Sequence, residues 1–127
     1  MSERKTVMVI DDDPDIVEYV SSILAPYYDI RTGCSGCECL QLVESSRPDI
    51  ILLDVIMSHL SDGLDCLRKL KDSPQTRQIP VVMMTSVNEV YDYRSQVEAS
   101  FFDHDRWLEK PVKPDMLLKT VREIAGA

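Results

Sequence analysis

Five polar residues stand at or just beyond the ends of short apolar runs. Asp11 and Asp12 follow Thr6-Val7-Met8-Val9-Ile10, and Asp54 follows Ile50-Ile51-Leu52-Leu53. Thr85 follows Pro80-Val81-Val82-Met83-Met84, and Lys110 comes shortly after Arg106-Trp107-Leu108. Three carboxylates gathered in one cleft would repel one another unless a cation sat among them. An all-oxygen donor set selects a hard ion, and Mg²⁺ takes one or two carboxylates together with phosphate oxygens and waters. One carboxylate can then act as a nucleophile and form an acyl phosphate. A hydroxyl and an ammonium are suited to bind the phosphoryl oxygens. The residue types therefore fit phosphoryl transfer. The bland alternative for the three aspartates is helix capping and a solvated turn, but Asp13, directly before Pro14, already fills the capping role.

The elements that must position these groups follow from the hydrophobic pattern. Short apolar runs alternate with helix-length stretches, the signature of βαβ units and a parallel sheet. Thr6–Ile10 reads as a strand covered on both faces. Pro14 opens a first helix with an apolar stripe of Ile16, Val20, Ile23 and Leu24, and Pro26 ends it. A weaker strand near Tyr28–Thr32 is expected at an edge. Ser35 opens a second helix with Gly36, Cys39, Leu40 and Val43 on one face. Ile50–Leu53 is the clearest buried strand, and a third helix carries Leu64, Leu67 and Leu70. Pro80–Met84 is the fourth strand. A more polar fourth helix is expected around Glu89 to Ala99, then a short fifth strand at Arg106–Leu108. The last helix starts at Pro114 and uses Leu117, Leu118, Val121 and Ile124. In an open parallel sheet, ligands bind beyond the carboxyl ends of the strands. This pattern places Asp11, Asp12, Asp54, Thr85 and Lys110 at that edge.

A chain of 127 residues fits one domain spanning 1–127 and can bury a core without disulfides. Its net charge of −8 argues against direct nucleic-acid binding, which needs clustered Lys and Arg to neutralise phosphates. No apolar run is long enough to span a membrane, and Met1-Ser2-Glu3-Arg4-Lys5 does not resemble a signal peptide. A cytoplasmic location is expected. Three of the four cysteines, Cys34, Cys37 and Cys39, are clustered, and Cys66 stands apart. In a cytosolic chain they are expected to be reduced. A zinc site would need more ligands than the sequence offers nearby.

Asp11-Asp12, Asp54, Asp62-Gly63, Thr85-Ser86 and Lys110-Pro111, in this order and spacing, resemble the motifs of the receiver domain of two-component response regulators. The likeness is to the single-domain, chemotaxis-regulator-like kind and covers essentially the whole chain. It implies a flavodoxin-like, doubly wound α/β fold with a five-stranded parallel sheet in the order 2-1-3-4-5 and five helices. It implies that Asp54 is the phosphoacceptor, that Asp12 binds Mg²⁺ directly, that Asp11 supports the metal through water, and that the Ile56 carbonyl completes the protein ligands. Thr85 and Lys110 would bind the phosphoryl group, and Trp107 would stand at the aromatic switch position. A histidine kinase or phosphotransfer protein would be the donor. An output partner of unknown identity would read the changed face; the chain ends soon after the last helix, which fits either a stand-alone regulator or a domain cut from a longer protein. Such a module catalyses only its own phosphorylation and dephosphorylation.

The sequence departs from the family pattern in several places. Ser58 replaces the usual proline after the phosphoacceptor, in a longer loop that also holds His59. Ser100-Phe101-Phe102-Asp103-His104 stands where Gly-Ala normally precedes the fifth strand. Ile56 and Val87 occupy positions where polar side chains can hold the hydrolytic water, which predicts a long-lived phosphorylated form. Cys34 and Cys39 fall where the family has small buried residues. Five aromatics lie between Tyr91 and Trp107, fitting either core packing or an interface. Two other functions compete. A haloacid-dehalogenase-like phosphohydrolase also forms an aspartyl phosphate, but needs a second Asp where Ile56 stands. A thiol-redox protein would use Cys34 and Cys37 near a helix start, but leaves the acidic cluster unexplained.

Overall fold

A computed structural model describes residues 4–54, 62–85, 98, 99, 101 and 105–126. The elements, in chain order, are β1 (Thr6–Ile10), α1 (Pro14–Leu24), β2 (Asp29–Gly33), α2 (Gly36–Ser45), β3 (Ile50–Asp54), α3 (Asp62–Asp72), β4 (Val81–Thr85), β5 (Arg106–Glu109) and α4 (Pro114–Ala125). The described residues thus contain four of the five expected helices. Of the one expected around Glu89 to Ala99, only Glu98 and Ala99 are described, and both are helical.

All five strands are parallel, in the order β2-β1-β3-β4-β5. This is the doubly wound, flavodoxin-like arrangement. Side chains alternate across a strand, and the core divides accordingly. Met8, Ile10, Ile51, Leu53, Val81 and Met83 pack with Cys39 and Val43 of α2 and with Leu64, Leu67 and Leu70 of α3. Val7, Val9, Ile50, Leu52, Val82 and Met84 pack on the other face with Val20 and Leu24 of α1 and Leu117 and Val121 of α4. A one-residue slip would exchange the two sets, so register is strongly specified in the central strands. β3 and β4 are buried throughout. β2 is mostly exposed, as an edge strand should be.

Local chemistry sets the helix starts. Asp13 caps α1 by accepting a hydrogen bond from the Asp15 N–H at 3.0 Å, with Pro14 at the first helical position. Ser35 caps α2 in the same way, accepting from the Glu38 N–H at 3.1 Å. The second strand begins one residue later than the sequence pattern suggests. Tyr28 precedes it and joins the core, 1% exposed, with its hydroxyl donating to the Gly126 carbonyl at 3.2 Å. Gly33, the last residue of β2, lies against the side-chain ends of Ile10 and Leu42, which would have to shift to admit a larger residue. A Cβ there would stand 2.9 Å from Ile10 Cδ1 and 3.2 Å from Leu42 Cδ1.

Candidate functional site

β1 and β3 are adjacent, with Ile10 opposite Leu53. Asp11 and Asp12, just past β1, therefore come beside Asp54, the last residue of β3. Their carboxylates supply oxygens that all lie within 4.8 Å of one another. Among the described residues this is the one group of three or more His, Cys, Asp or Glu so arranged. Asp11 and Asp54 are buried, at 1% and 2% exposure, and Asp12 is exposed. Two like charges 4 Å apart repel by about 4 kcal/mol at an effective dielectric of about 20. Buried carboxylates this close need a cation between or beside them.

Lys110 provides one. It follows β5, two strands from Asp54, and its Nζ donates to Asp54 Oδ1 and to Asp11 Oδ2, each at 3.0 Å. Burial alone would lower the Lys110 pKa. The charges of Asp54 and Asp11 and the two hydrogen bonds outweigh it and hold the ammonium above the ordinary lysine value. The other oxygen of Asp11 accepts the Asp13 N–H at 3.0 Å, and the Asp11 N–H donates to the Gly33 carbonyl at 3.2 Å. Asp11 is thus held by the turn into α1, by β2 and by Lys110. The oxygen-only donor set and the exposure of Asp12 suit a hard divalent cation entering from solvent.

Thr85 ends β4, one residue beyond Met84, which stands opposite Asp54. It is 2% exposed, and its carbonyl accepts the Lys110 N–H at 2.7 Å. Trp107 lies in β5 opposite Met83. Its half-buried ring packs on Phe101 with centroids 5.5 Å apart and planes inclined by 51°. For these two aromatics, core packing is the observed role. Ile56, Ser58, His59, Ser86, Val87, Tyr91, Tyr93, Phe102 and His104 lie outside the described residues, as does the expectation about phosphoryl lifetime that rests on Ile56 and Val87.

The cysteines are only partly as expected. Cys39 is buried at 0%, but Cys34, between the end of β2 at Gly33 and the Ser35 cap, is exposed. Cys34 lines a cleft of about 500 Å³ beside the acidic cluster, with Asp12, Glu18 and Glu38. Its thiol donates to Glu38 Oε2 at 3.3 Å. That hydrogen bond, and then the Glu38 charge, raise the thiol above its ordinary pKa, the reverse of what an activated cysteine needs. Cys37 is exposed and Cys66 buried.

The sequence reading missed Lys71 and Asp105, which form a buried ion pair at 2.9 Å. The signal was present: Lys71 continues the Leu64, Leu67 stripe at i, i+3, i+7 spacing. A lysine on an apolar stripe must meet a buried acceptor. It also missed Tyr19, whose hydroxyl donates to the Val112 carbonyl at 2.9 Å, tying α1 to the segment after Lys110-Pro111.

Comparison with known proteins agrees with this geometry. The family model described as "Response regulator receiver domain" matches residues 7–122. Response regulator PleD of Caulobacter vibrioides is 37% identical over 125 residues, 98% of this chain and 26% of that protein. A probable cyclic di-GMP phosphodiesterase of Vibrio cholerae is 31% identical over 116 residues, 91% of this chain and 25% of that protein. The chain thus spans about a quarter of the length of these two relatives. Among solved structures, a putative response regulator of Chloroflexus aurantiacus superposes with a TM-score of 0.87 at 25% identity, covering 98% of this chain and 100% of that one. Chemotaxis response regulator CheY4 of Vibrio cholerae superposes with a TM-score of 0.83 at 27% identity, covering 95% and 98%. With its sheet order, its acidic strand ends and its bridging lysine, this chain belongs to the response regulator receiver domain family.

Proposed function

We propose that the chain accepts a phosphoryl group on Asp54 and relays the resulting change in charge to a partner. The observation that carries this reading is the Lys110 ammonium, placed 3.0 Å from both Asp54 and Asp11 beside a three-carboxylate cluster. Asp54 is the nucleophile. One carboxylate oxygen forms the new P–O bond as the P–N bond of a phosphohistidine donor breaks; the ring nitrogen keeps the electron pair, and the imidazole, protonated at its other nitrogen, leaves as the neutral ring. Asp11 and Asp12, with Asp54 and the Ile56 carbonyl, would hold Mg²⁺, which when bound supplies positive charge against the phosphoryl oxygens. Lys110 exchanges part of its contact with Asp54 for a phosphoryl oxygen, and Thr85 offers a hydroxyl to another. Positive charge set in advance where negative charge gathers needs no reorganisation during transfer.

The donor in this reading is a histidine kinase or a phosphotransfer protein. The responding face includes β5 and α4, with Trp107 as its aromatic reporter. The module is one of signalling, with no turnover beyond its own phosphorylation and dephosphorylation. The net charge of −8 speaks against direct contact with nucleic acid. Among the described residues no helix is long and apolar enough to cross a membrane, and the cytoplasm is the compartment in which such a donor would be met.

Incubation with a small acyl-phosphate donor and Mg²⁺, followed by intact mass, tests the reading. One added phosphoryl group is expected on the parent chain and none on Asp54→Asn. Equal labelling of the variant would refute the assignment. Sustained turnover of a phosphate monoester would favour the phosphohydrolase reading instead.

A further inference from the structure

Lys71 and Asp105 lie far from the acidic cluster in sequence, yet their geometry bears on it. Lys71 is in the last turn of α3, and its side chain is 3% exposed; that of Asp105 is 0% exposed. The Lys71 ammonium donates to Asp105 Oδ1 at 2.9 Å and to the carbonyls of Arg77 at 3.1 Å and Ile79 at 3.0 Å. The same Asp105 oxygen accepts the Val81 N–H at 2.8 Å. The ion pair therefore joins the end of α3, the connection into β4, the first residue of β4 and the residue before β5. Burial is the larger influence on Lys71 and lowers its pKa; the hydrogen bond and charge of Asp105 offset part of this.

The node stands at the start of the strand that leads to Lys110. β5 is four residues long and lies at the sheet edge, with Leu108 its one buried residue. In the observed register Arg106 faces Val82 and Glu109 faces Thr85. The Asp105 carboxylate takes the Val81 N–H one step before that ladder begins. At the other end the Lys110 N–H reaches the Thr85 carbonyl. A slip of one residue would carry Lys110 about 3.3 Å along the strand and turn Trp107 to the opposite face. The ammonium would then leave Asp54 and Asp11.

We infer that Lys71 and Asp105 are positioning residues that hold β5 in register and so place Lys110 on Asp54 and Trp107 on Phe101. Buried ion pairs often add little stability over apolar residues of similar size, so a merely structural role and a positioning role separate experimentally. For Lys110 the inference rests on the phosphoryl-acceptor reading; for Trp107 it does not.

The test compares the parent with Lys71→Met, Asp105→Asn and the double variant Lys71→Met/Asp105→Leu. Each is measured for urea unfolding, acrylamide quenching of Trp107 and the rate of Asp54 labelling by a small acyl-phosphate donor with Mg²⁺. Lys71→Met leaves the Asp105 charge unpaired and is expected to be less stable, with Trp107 more accessible to acrylamide and labelling slower by about tenfold to a hundredfold. Asp105→Asn keeps an acceptor for the Val81 N–H and is expected to fall between Lys71→Met and the parent. The double variant removes the orphaned charge. It is expected to regain stability while Trp107 stays accessible and labelling stays slow. If the double variant regains parental quenching and labelling along with its stability, the pair is structural only and the inference fails. If Lys71→Met does not fold, the other two variants decide the matter by the same criteria. If the parent itself is not labelled, the phosphoryl-acceptor reading fails, and Trp107 quenching still supports or overturns the positioning of β5.

Discussion

The Lys110 N–H donates to the Thr85 carbonyl at 2.7 Å, so the ends of β4 and β5 are closed on each other at two residues suited to hold a phosphoryl group. The same lysine reaches across β4 to Asp54 on β3. A movement of either strand end is therefore felt at the candidate phosphoacceptor.

Replacing Lys110 by Met should separate its two roles. Without the ammonium, Asp11 and Asp54 keep their buried carboxylates with less compensation, and a cation gains in value. The urea midpoint of Lys110→Met is expected to fall in metal-free buffer and to recover more on adding Mg²⁺ than the parent's does. Labelling of Asp54 should slow by about a hundredfold or more, the usual cost of removing one preorganised stabilising group. Parental labelling rates in the variant would remove Lys110 from the mechanism.

Thr85 and Trp107 should separate uptake from response. Phosphorylation is expected to change the emission of Trp107, the one tryptophan of the chain, as Thr85 is drawn to the phosphoryl group and the ring packed on Phe101 moves. Thr85→Ala is expected to take up phosphate, shown by intact mass, with little or no change in emission. Thr85→Ser, which keeps the hydroxyl, should restore the response. An emission change in the Ala variant equal to the parent's would detach Trp107 from Thr85.

Three neighbouring aspartates should behave in different ways. Asp13 caps α1, so Asp13→Ala should cost about 1 kcal/mol in denaturant unfolding and leave labelling intact. Asp12→Ala touches no cap and should do the opposite, with near-parental stability in metal-free buffer and loss of Mg²⁺-dependent labelling. Asp11→Ala should disturb both, since Asp11 holds the turn and pairs with Lys110. Calorimetry of Mg²⁺ binding alongside unfolding would show whether the two effects separate.

Cys34 should be a slow thiol. Glu38 accepts its hydrogen bond and places a negative charge beside it, and both raise the pKa. A raised thiol pKa means less thiolate at neutral pH, and the thiolate is the reactive form. The iodoacetamide rate at Cys34, followed by peptide mass across pH, is expected to rise at a pH above the ordinary thiol range. Glu38→Gln should shift that rise to lower pH and speed alkylation at neutral pH. An unchanged profile would mean that Glu38 does not control the thiol.

Much of this protein was determined locally. The β-branched run at Thr6–Ile10, the Asp13-Pro14 start of α1 and the unbroken apolar stretch at Ile50–Leu53 each specify an element through contacts within a few residues. A parallel sheet must be crossed over by helices, so chain order also placed Asp11, Asp12, Asp54, Thr85 and Lys110 at one edge. The tertiary structure decided the pairings. Lys110 reaches Asp54 and Asp11 across sequence separations of 56 and 99 residues, through strand order and register. Those depend on how two helix layers divide the core and not on any local pattern. A lysine on the apolar stripe of α3 signals a buried acceptor, but only the packing of α3 against the sheet names it as Asp105, 34 residues on. Cys34 shows the converse. Its place in the family pattern suggested burial, and the structure leaves it exposed in the cleft beside the site, because solvent exposure is a property of the assembled fold.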